Sequence, residues 1–241
     1  MIFSYSPLLH NFPNIKHCFT TKESGNLAFH VDDDIESIIF RHKELAQKFN
    51  YNHHSLIHMK QIHSSIVHIV DQNDSFFYPK SCDALITNKK NMPIMVMVAD
   101  CSPILFYDNA RNIIAVAHAG RQGAFKNIVK NVIDSMYKNF DSLVEDITVS
   151  IGASIGICCY EVGAEIYHEA KKLSLDYAIE KREGSYYLSI SKILESQLLA
   201  SGILKENLEI SNECTCCKSN KYFSYRSDKN TGRFAGIICL T

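Results

Sequence analysis

Between residues 94 and 119 the chain alternates short, almost wholly apolar runs with polar breaks. Residues 94–99, Ile-Met-Val-Met-Val-Ala, read as a buried strand that Asp100-Cys101-Ser102-Pro103 ends. Residues 104–107 predict a second strand, which meets Asp108-Asn109, and residues 113–117 a third, which delivers His118 into Ala119-Gly120. The period then changes. Phe125, Ile128, Val129, Val132, Ile133, Met136, Tyr137 and Phe140 recur at helical steps and predict one amphipathic helix that begins just after Gly120. A strand at 147–151, helices at about 165–173 and 191–201, a strand at about 208–211 and a last strand at 234–240 follow. Upstream, a helix carrying Arg41 follows the acidic run after Val31. The segment 56–70, if extended, points Gln61 and His63 to one face and His58 and His68 to the other. Strands and helices interleaved in this way predict an α/β protein.

Composition narrows the class. A chain of 241 residues that is 46% hydrophobic has enough apolar surface for one sizeable core. No Pro/Gly/Ser-rich linker, charge run or repeat divides it, so a single domain over 1–241 is expected; the nearest thing to a loop cluster is 71–80. A formal net charge of −1 with mixed signs gives no basic stripe, so nucleic acid is not an expected partner. The first residues lack the basic start and apolar stretch of a signal peptide, and no segment is long and apolar enough to span a bilayer. The expectation is a cytoplasmic protein with no membrane partner. Nine cysteines, an odd count at irregular positions, argue for reduced thiols rather than a disulfide framework. Cys214, Cys216 and Cys217 include a Cys-x-x-Cys pair, which could be half of a zinc ribbon or a redox pair, but with no second such pair in the sequence plain thiols are the favoured reading.

Three residues of a kind that hold zinc stand in short, distinctive contexts: His63 in Gln-Ile-His, Cys101 in Ala-Asp-Cys, and His118 in His-Ala-Gly. Two imidazoles and one thiolate suit a catalytic zinc, which keeps three protein ligands and an open position, better than a structural zinc, which is closed by four. The separations, from 63 to 101 to 118, are too long for a finger-type clip, so the fold would have to bring strand ends together. Rigid strands handing over to loops are where binding residues concentrate. A lone His or Cys is more often packed or solvated than a ligand, and spacing by itself does not establish the site.

Motifs spread in order over nearly the whole chain add to this reading: Phe19-Thr20-Thr21-Lys22, Gln61-Ile62-His63, Asp83 through Thr87, Ala99 through Pro103, His118-Ala119-Gly120, Cys159 through Gly163, and Phe223 through Arg226 on to Thr231-Gly232-Arg233. In these the chain resembles the YfiH, or laccase-domain, family. The resemblance implies a layered α-β-β-α sandwich and a zinc-dependent purine nucleoside phosphorylase that also deaminates adenosine, with inorganic phosphate as co-substrate. It places the zinc ligands on His63, Cys101 and His118, with a single zinc ion expected rather than copper.

The same resemblance assigns phosphate to Arg41, whose planar fork would meet two phosphate oxygens, against a solvated helix face. Asp83 and Asp100 are the nearest carboxylates to shuttle a proton or orient a ligand His, against a capping role. Gln61 would contact base or sugar, or simply cap its strand. Glu161 and Arg226 are carried as substrate-site candidates by their motifs, or as a buried structural pair. The family's usual His-Ala-Gly-Trp-Arg-Gly here reads His118-Ala119-Gly120-Arg121-Gln122-Gly123, a departure that either reshapes the substrate pocket or sits in solvent.

Rival classes remain. The absence of any His-x-His speaks against a true copper laccase, and no His-x-Glu is followed at short range by Pro-Cys-x-x-Cys, as a zinc nucleobase deaminase would show. A cysteine hydrolase with Cys101 as nucleophile and His118 as base would use two of the same residues. A peptidoglycan-editing or cell-envelope quality-control role is a further family possibility.

Overall fold

The structure is a computed structural model that describes residues 3–241. Two sheets face each other across the centre. The larger has six strands in the order Leu208–Ile210, Ile147–Ile151, Ser102–Asp108, Ile113–Ala119, Ala84–Thr87, Val67–Ile69. The smaller has four, Phe3–Ser4, Ile15–Thr20, Phe234–Leu240 and Ile94–Val98, all antiparallel to their neighbours. The helix Ile35–Phe49 covers the outside of the small sheet, and helices Ile128–Phe140 and Ile190–Ala200 cover the outside of the large one. The architecture is the expected α-β-β-α sandwich.

Why the central strands look apolar throughout is visible in their two-residue alternation. In Ile113–Ala119, Ile113, Ala115, Ala117 and Ala119 face the helices while Ile114 and Val116 face the opposite sheet. Ile104 and Phe106 of Ser102–Asp108 point outward to the helices, and Leu105 and Tyr107 inward. In the small sheet Ile94, Val96 and Val98 fill the space between the sheets, and Met95 and Met97 pack with Leu45 and Phe49 under the outer helix. Strands buried on both faces carry continuous hydrophobic runs. Truncating any of these large side chains to Ala would cost roughly 2–5 kcal/mol.

Two expected elements differ. The single helix after Gly120 is broken into Arg121–Phe125 and Ile128–Phe140, because Asn127 adopts a left-handed backbone (φ 53°) and caps the second helix, its side chain accepting from Lys130 N. Asn tolerates that conformation better than most residues, and an apolar period cannot register it. The segment 56–70 is not one strand: Met59–Lys60 pairs with Lys80–Ser81, Val67–Ile69 pairs with Ala84–Thr87, and the chain turns between them at His63 (φ 56°). His63 is indeed separated from its neighbours, but by a turn rather than by strand parity. Among the described residues no helix is long and apolar enough to cross a membrane.

Candidate metal centre

Asp83 organises the first cluster. Its carboxylate, fully buried at the start of Ala84–Thr87, accepts hydrogen bonds from the backbone N–H groups of Ile62 (3.3 Å), His63 (3.1 Å) and Ser64 (2.6 Å), and from the Ser64 hydroxyl (2.7 Å). The turn that carries His63 is thus folded around one carboxylate. The same carboxylate faces His118 Nδ1 at 2.8 Å. Burial opposes its charge, but the hydrogen bonds from His118 and Ser64 outweigh that and hold Asp83 down to about 2.

With Nδ1 committed to Asp83, His118 turns Nε2 toward the other two residues. His63, Cys101 and His118 bring their ligand atoms within 4.8 Å of one another, the two imidazoles meeting edge to face at 4.8 Å between ring centres. Burial alone would raise the Cys101 thiol, yet His118 and His63 beside it bring it down to about 6. Burial would lower His118, but Cys101 and Asp83 raise it to about 9. Cys101 follows Asp100, whose backbone is left-handed (φ 83°) and whose carboxylate is held at both oxygens, Oδ1 by the Thr215 hydroxyl (2.6 Å) and Oδ2 by Arg226 N (2.6 Å). Gly120 closes the third side. A Cβ there would lie 2.7 Å from Cys101 Sγ and 3.4 Å from the His63 ring, so only glycine lets the chain pass this close to the sulfur.

The donor set tests well as a metal site. A thiolate with two imidazoles suits zinc, the histidine bonded to a buried carboxylate through its other nitrogen is the usual outer support of a ligating imidazole, and three ligands leave one position open.

This cluster lies in a cleft of about 560 Å³. Cationic side chains line it: Arg121, Arg226, Lys229 and Arg233, the last three set against tyrosines, with Arg226 over Tyr160 (5.4 Å) and Lys229 over Tyr225 (4.2 Å). Among the described residues Asp100 is the one carboxylate on its walls. His30 lines it too, its pKa lowered by burial and by Arg233, His118 and His63. His30 and Lys229 escaped the sequence reading, since isolated cationic and imidazole side chains carry no spacing signal, and Tyr160, Tyr225 and Arg233 fell within its motifs without being given a role. A larger groove, about 850 Å³, runs between the two outer helices of the large sheet and includes none of these ligands.

The remaining candidates separate. Gln61 lines the cleft, but both ends of its amide bond the backbone of Met97, Nε2 to O at 2.7 Å and Oε1 from N at 2.9 Å, so it ties its loop to the sheet edge. Asp83 is buried and does not line the cleft; it faces the turn at His63 and His118 Nδ1 instead. Arg41 lies outside the cleft, its guanidinium donating to Asp33 (2.6 Å) and to the carbonyl of Asn26 (3.1 Å). Glu161 is exposed and touches Arg226 only through its backbone carbonyl (2.8 Å), so the two are not a buried ion pair. Arg121 does reach the cleft wall, where it bonds Glu169 at 2.7 Å, while Gln122 is exposed. The departure from the family motif therefore touches the pocket at one of its two positions.

A second cluster was not expected. Cys158, Cys159, Cys214 and Cys217 bring four free thiols within 4.8 Å of one another.

Residues 16–241 match the family model described as multi-copper polyphenol oxidoreductase laccase. The chain belongs to the YfiH, or laccase-domain, family. Among curated YfiH-family relatives, a purine nucleoside phosphorylase of Clostridium acetobutylicum is 34% identical over 91% of this chain and 89% of its own length. One of Haemophilus influenzae is 31% identical over 95% and 96%. The solved structure of the hypothetical protein YfiH of Bacillus licheniformis superposes with a TM-score of 0.92 at 28% identity, covering 99% of both chains. YlmD of Geobacillus stearothermophilus gives 0.89 at 25% identity over 98% of this chain and 94% of that one.

Proposed function

We propose that the protein is a zinc-dependent purine nucleoside phosphorylase with adenosine deaminase side activity, taking adenosine and inosine, with methylthioadenosine as a third substrate. The observation that carries this is the convergence of His63, Cys101 and His118 on the floor of a cleft walled by cations, in a chain whose curated relatives are named purine nucleoside phosphorylases.

Phosphorolysis breaks the bond from the sugar C1′ to the base, so the site must hold phosphate beside the sugar and help the base leave. Arg226, Lys229 and Arg233 supply the charge for phosphate, and two of them offer a guanidinium fork. Tyr160 and Tyr225, each with a cation over its ring, supply the aromatic part of the wall for a purine. Bound by His63, Cys101 and His118, a zinc ion would supply a Lewis acid and a water of lowered pKa. Asp83 keeps His118 in the tautomer whose Nε2 is free, and Asp100, fixed by Thr215 and the Arg226 backbone, sets the position of Cys101.

Metal analysis of purified protein, then adenosine with and without phosphate, tests the reading. Zinc bound, with adenine and ribose 1-phosphate formed only when phosphate is present and inosine in its absence, is the expected result. A fully zinc-loaded protein that leaves adenosine untouched under both conditions overturns it.

A second reading rests on one observation: Asp83, His118 and Cys101 line up as carboxylate, imidazole and thiolate, the order of a cysteine hydrolase. His63, aimed at the same sulfur, speaks for metal. A protein that is active and metal-free, and that iodoacetamide inactivates through Cys101, would favour the hydrolase.

A further inference from the structure

The second thiol cluster joins two loops far apart in sequence. Cys158 and Cys159 lie on the loop after Ile147–Ile151, and Cys214 and Cys217 on the loop after Leu208–Ile210. The loops are already in register: Thr215 N donates to Ser154 O (3.0 Å), and Gly156 N donates to Cys214 Sγ (3.2 Å). Cys217 Sγ stands 3.5 Å from Cys158 Sγ and 3.3 Å from Cys159 Sγ.

These separations do not describe disulfides, in which the sulfurs are about 2.05 Å apart. They do suit a common tetrahedral centre, since zinc–sulfur bonds of about 2.3 Å put the sulfurs roughly 3.8 Å from one another. Nor is the cluster ordinary packing. An unliganded cysteine is normally a small buried hydrophobe, whereas Cys158 and Cys217 are exposed and Cys159 and Cys214 half-buried. Thiol-to-thiol hydrogen bonds are too weak to gather four sulfurs, two of them on exposed residues. An iron–sulfide core is larger than a single ion and would hold its four thiolates farther apart.

We propose that Cys158, Cys159, Cys214 and Cys217 form a closed, four-thiolate site for a structural zinc ion, separate from the centre in the cleft. Each zinc–sulfur bond replaces a thiol proton, so loading releases protons to solvent and involves no oxidant. With four protein ligands the ion has no open position and takes no part in chemistry. Its work is mechanical. The first loop also carries Ile155 and Tyr160 of the cleft wall, on either side of its two cysteines, and the second carries Thr215, which holds Asp100, and leads on to Arg226. An ion between the loops fixes the wall against which substrate would lie.

The test is metal stoichiometry on the full chain. Wild-type protein should carry two zinc ions. Cys101→Ser should lose one and keep the other through desalting. The double variant Cys159→Ser with Cys217→Ser should lose the other one and keep the ion in the cleft, while Cys216→Ser, outside the group, should keep both. Cys101→Ser loaded with cobalt(II) should show the intense sulfur-to-metal charge-transfer absorption of a tetrahedral four-thiolate site, a reading that does not depend on whether the double variant folds. Cys101→Ser without tightly bound metal, a disulfide among the four cysteines by non-reducing mass spectrometry, or iron with acid-labile sulfide in place of zinc would each overturn the proposal. Two bound zinc ions without nucleoside turnover would leave it standing and sink the proposed activity instead.

Discussion

The two sulfur-bearing clusters differ in what surrounds them. In the cleft, one thiol and two imidazoles gather about a position with an unfilled side, and a sealed carboxylate behind them sets the angle of both histidines. At the surface, four sulfurs face one another with backbone N–H groups as their only support. A site built to leave a coordination place open needs outer groups to keep its few ligands aimed, because the metal alone does not fix them; a site closed by four ligands is held by its own geometry. Asp83, with five hydrogen bonds to the turn at 62–64 and to His118, measures how much of the protein is spent on that aim.

The strongest way to break the comparison is Cys101→Ser. Metal in the cleft and nucleoside turnover should disappear together, with the fold intact by circular dichroism; full metal and full activity would show that the three residues are not a centre. Asp83→Asn comes next. It keeps the shape but weakens acceptance from the turn and from His118 Nδ1, and metal affinity or activity should fall by about 10–100-fold; an unchanged affinity by competition with a chelator would mean that the carboxylate is only a turn cap.

Gly120→Ala puts a methyl group against Cys101 Sγ. It should cost about 1–3 kcal/mol in stability and lower zinc occupancy in the cleft without touching the surface cluster. A melting temperature and a metal count equal to wild type would show that the chain there has room to move. In metal-stripped protein, alkylation of Cys101 should follow its thiolate, rising with a midpoint near pH 6 because the lowered pKa favours the charged form above that pH. A midpoint at the ordinary thiol range would remove the imidazoles from the electrostatics. The smallest effect is expected at Arg41: Arg41→Ala removes a partly buried ion pair with Asp33 and a hydrogen bond to Asn26 O, and should leave the phosphate KM near wild type, whereas Arg233→Ala should raise it. A selective rise for Arg41→Ala would return phosphate to the residue that the family pattern favours.

Legibility in the sequence follows the same divide. The strands that flank Cys101 and carry His118 are legible because burial on both faces leaves unbroken apolar runs, and the polar break between the first two holds Cys101. The turn at His63 and the helix break at Asn127 are not, since each rests on a single residue in a left-handed conformation that hydrophobic periodicity does not register. Arg41 and Glu161 fit their motifs yet lie outside the cleft, for a motif gives position along the chain and not which way a side chain is drawn by its neighbours. The four-thiol group is hidden for another reason. Cys158-Cys159 is not a Cys-x-x-Cys pair, and only the pairing of Ser154 with Cys214 brings it to its partner.

Asp100 ties this architecture to the order in which a ribosome delivers it. Cys101 is made early, but the residue before it is clamped by Thr215 and Arg226, and the small sheet gains its inner strand only with Phe234–Leu240, which slots between Ile15–Thr20 and Ile94–Val98. The nascent chain therefore exposes the Cys101 thiol without these restraints until nearly all of it has emerged, so metal uptake at the proposed centre is expected to follow synthesis. Chains stalled short of residue 214 should take up no zinc at His63, Cys101 and His118; zinc bound by such a truncated chain would show that the three residues converge before Thr215 and Arg226 arrive.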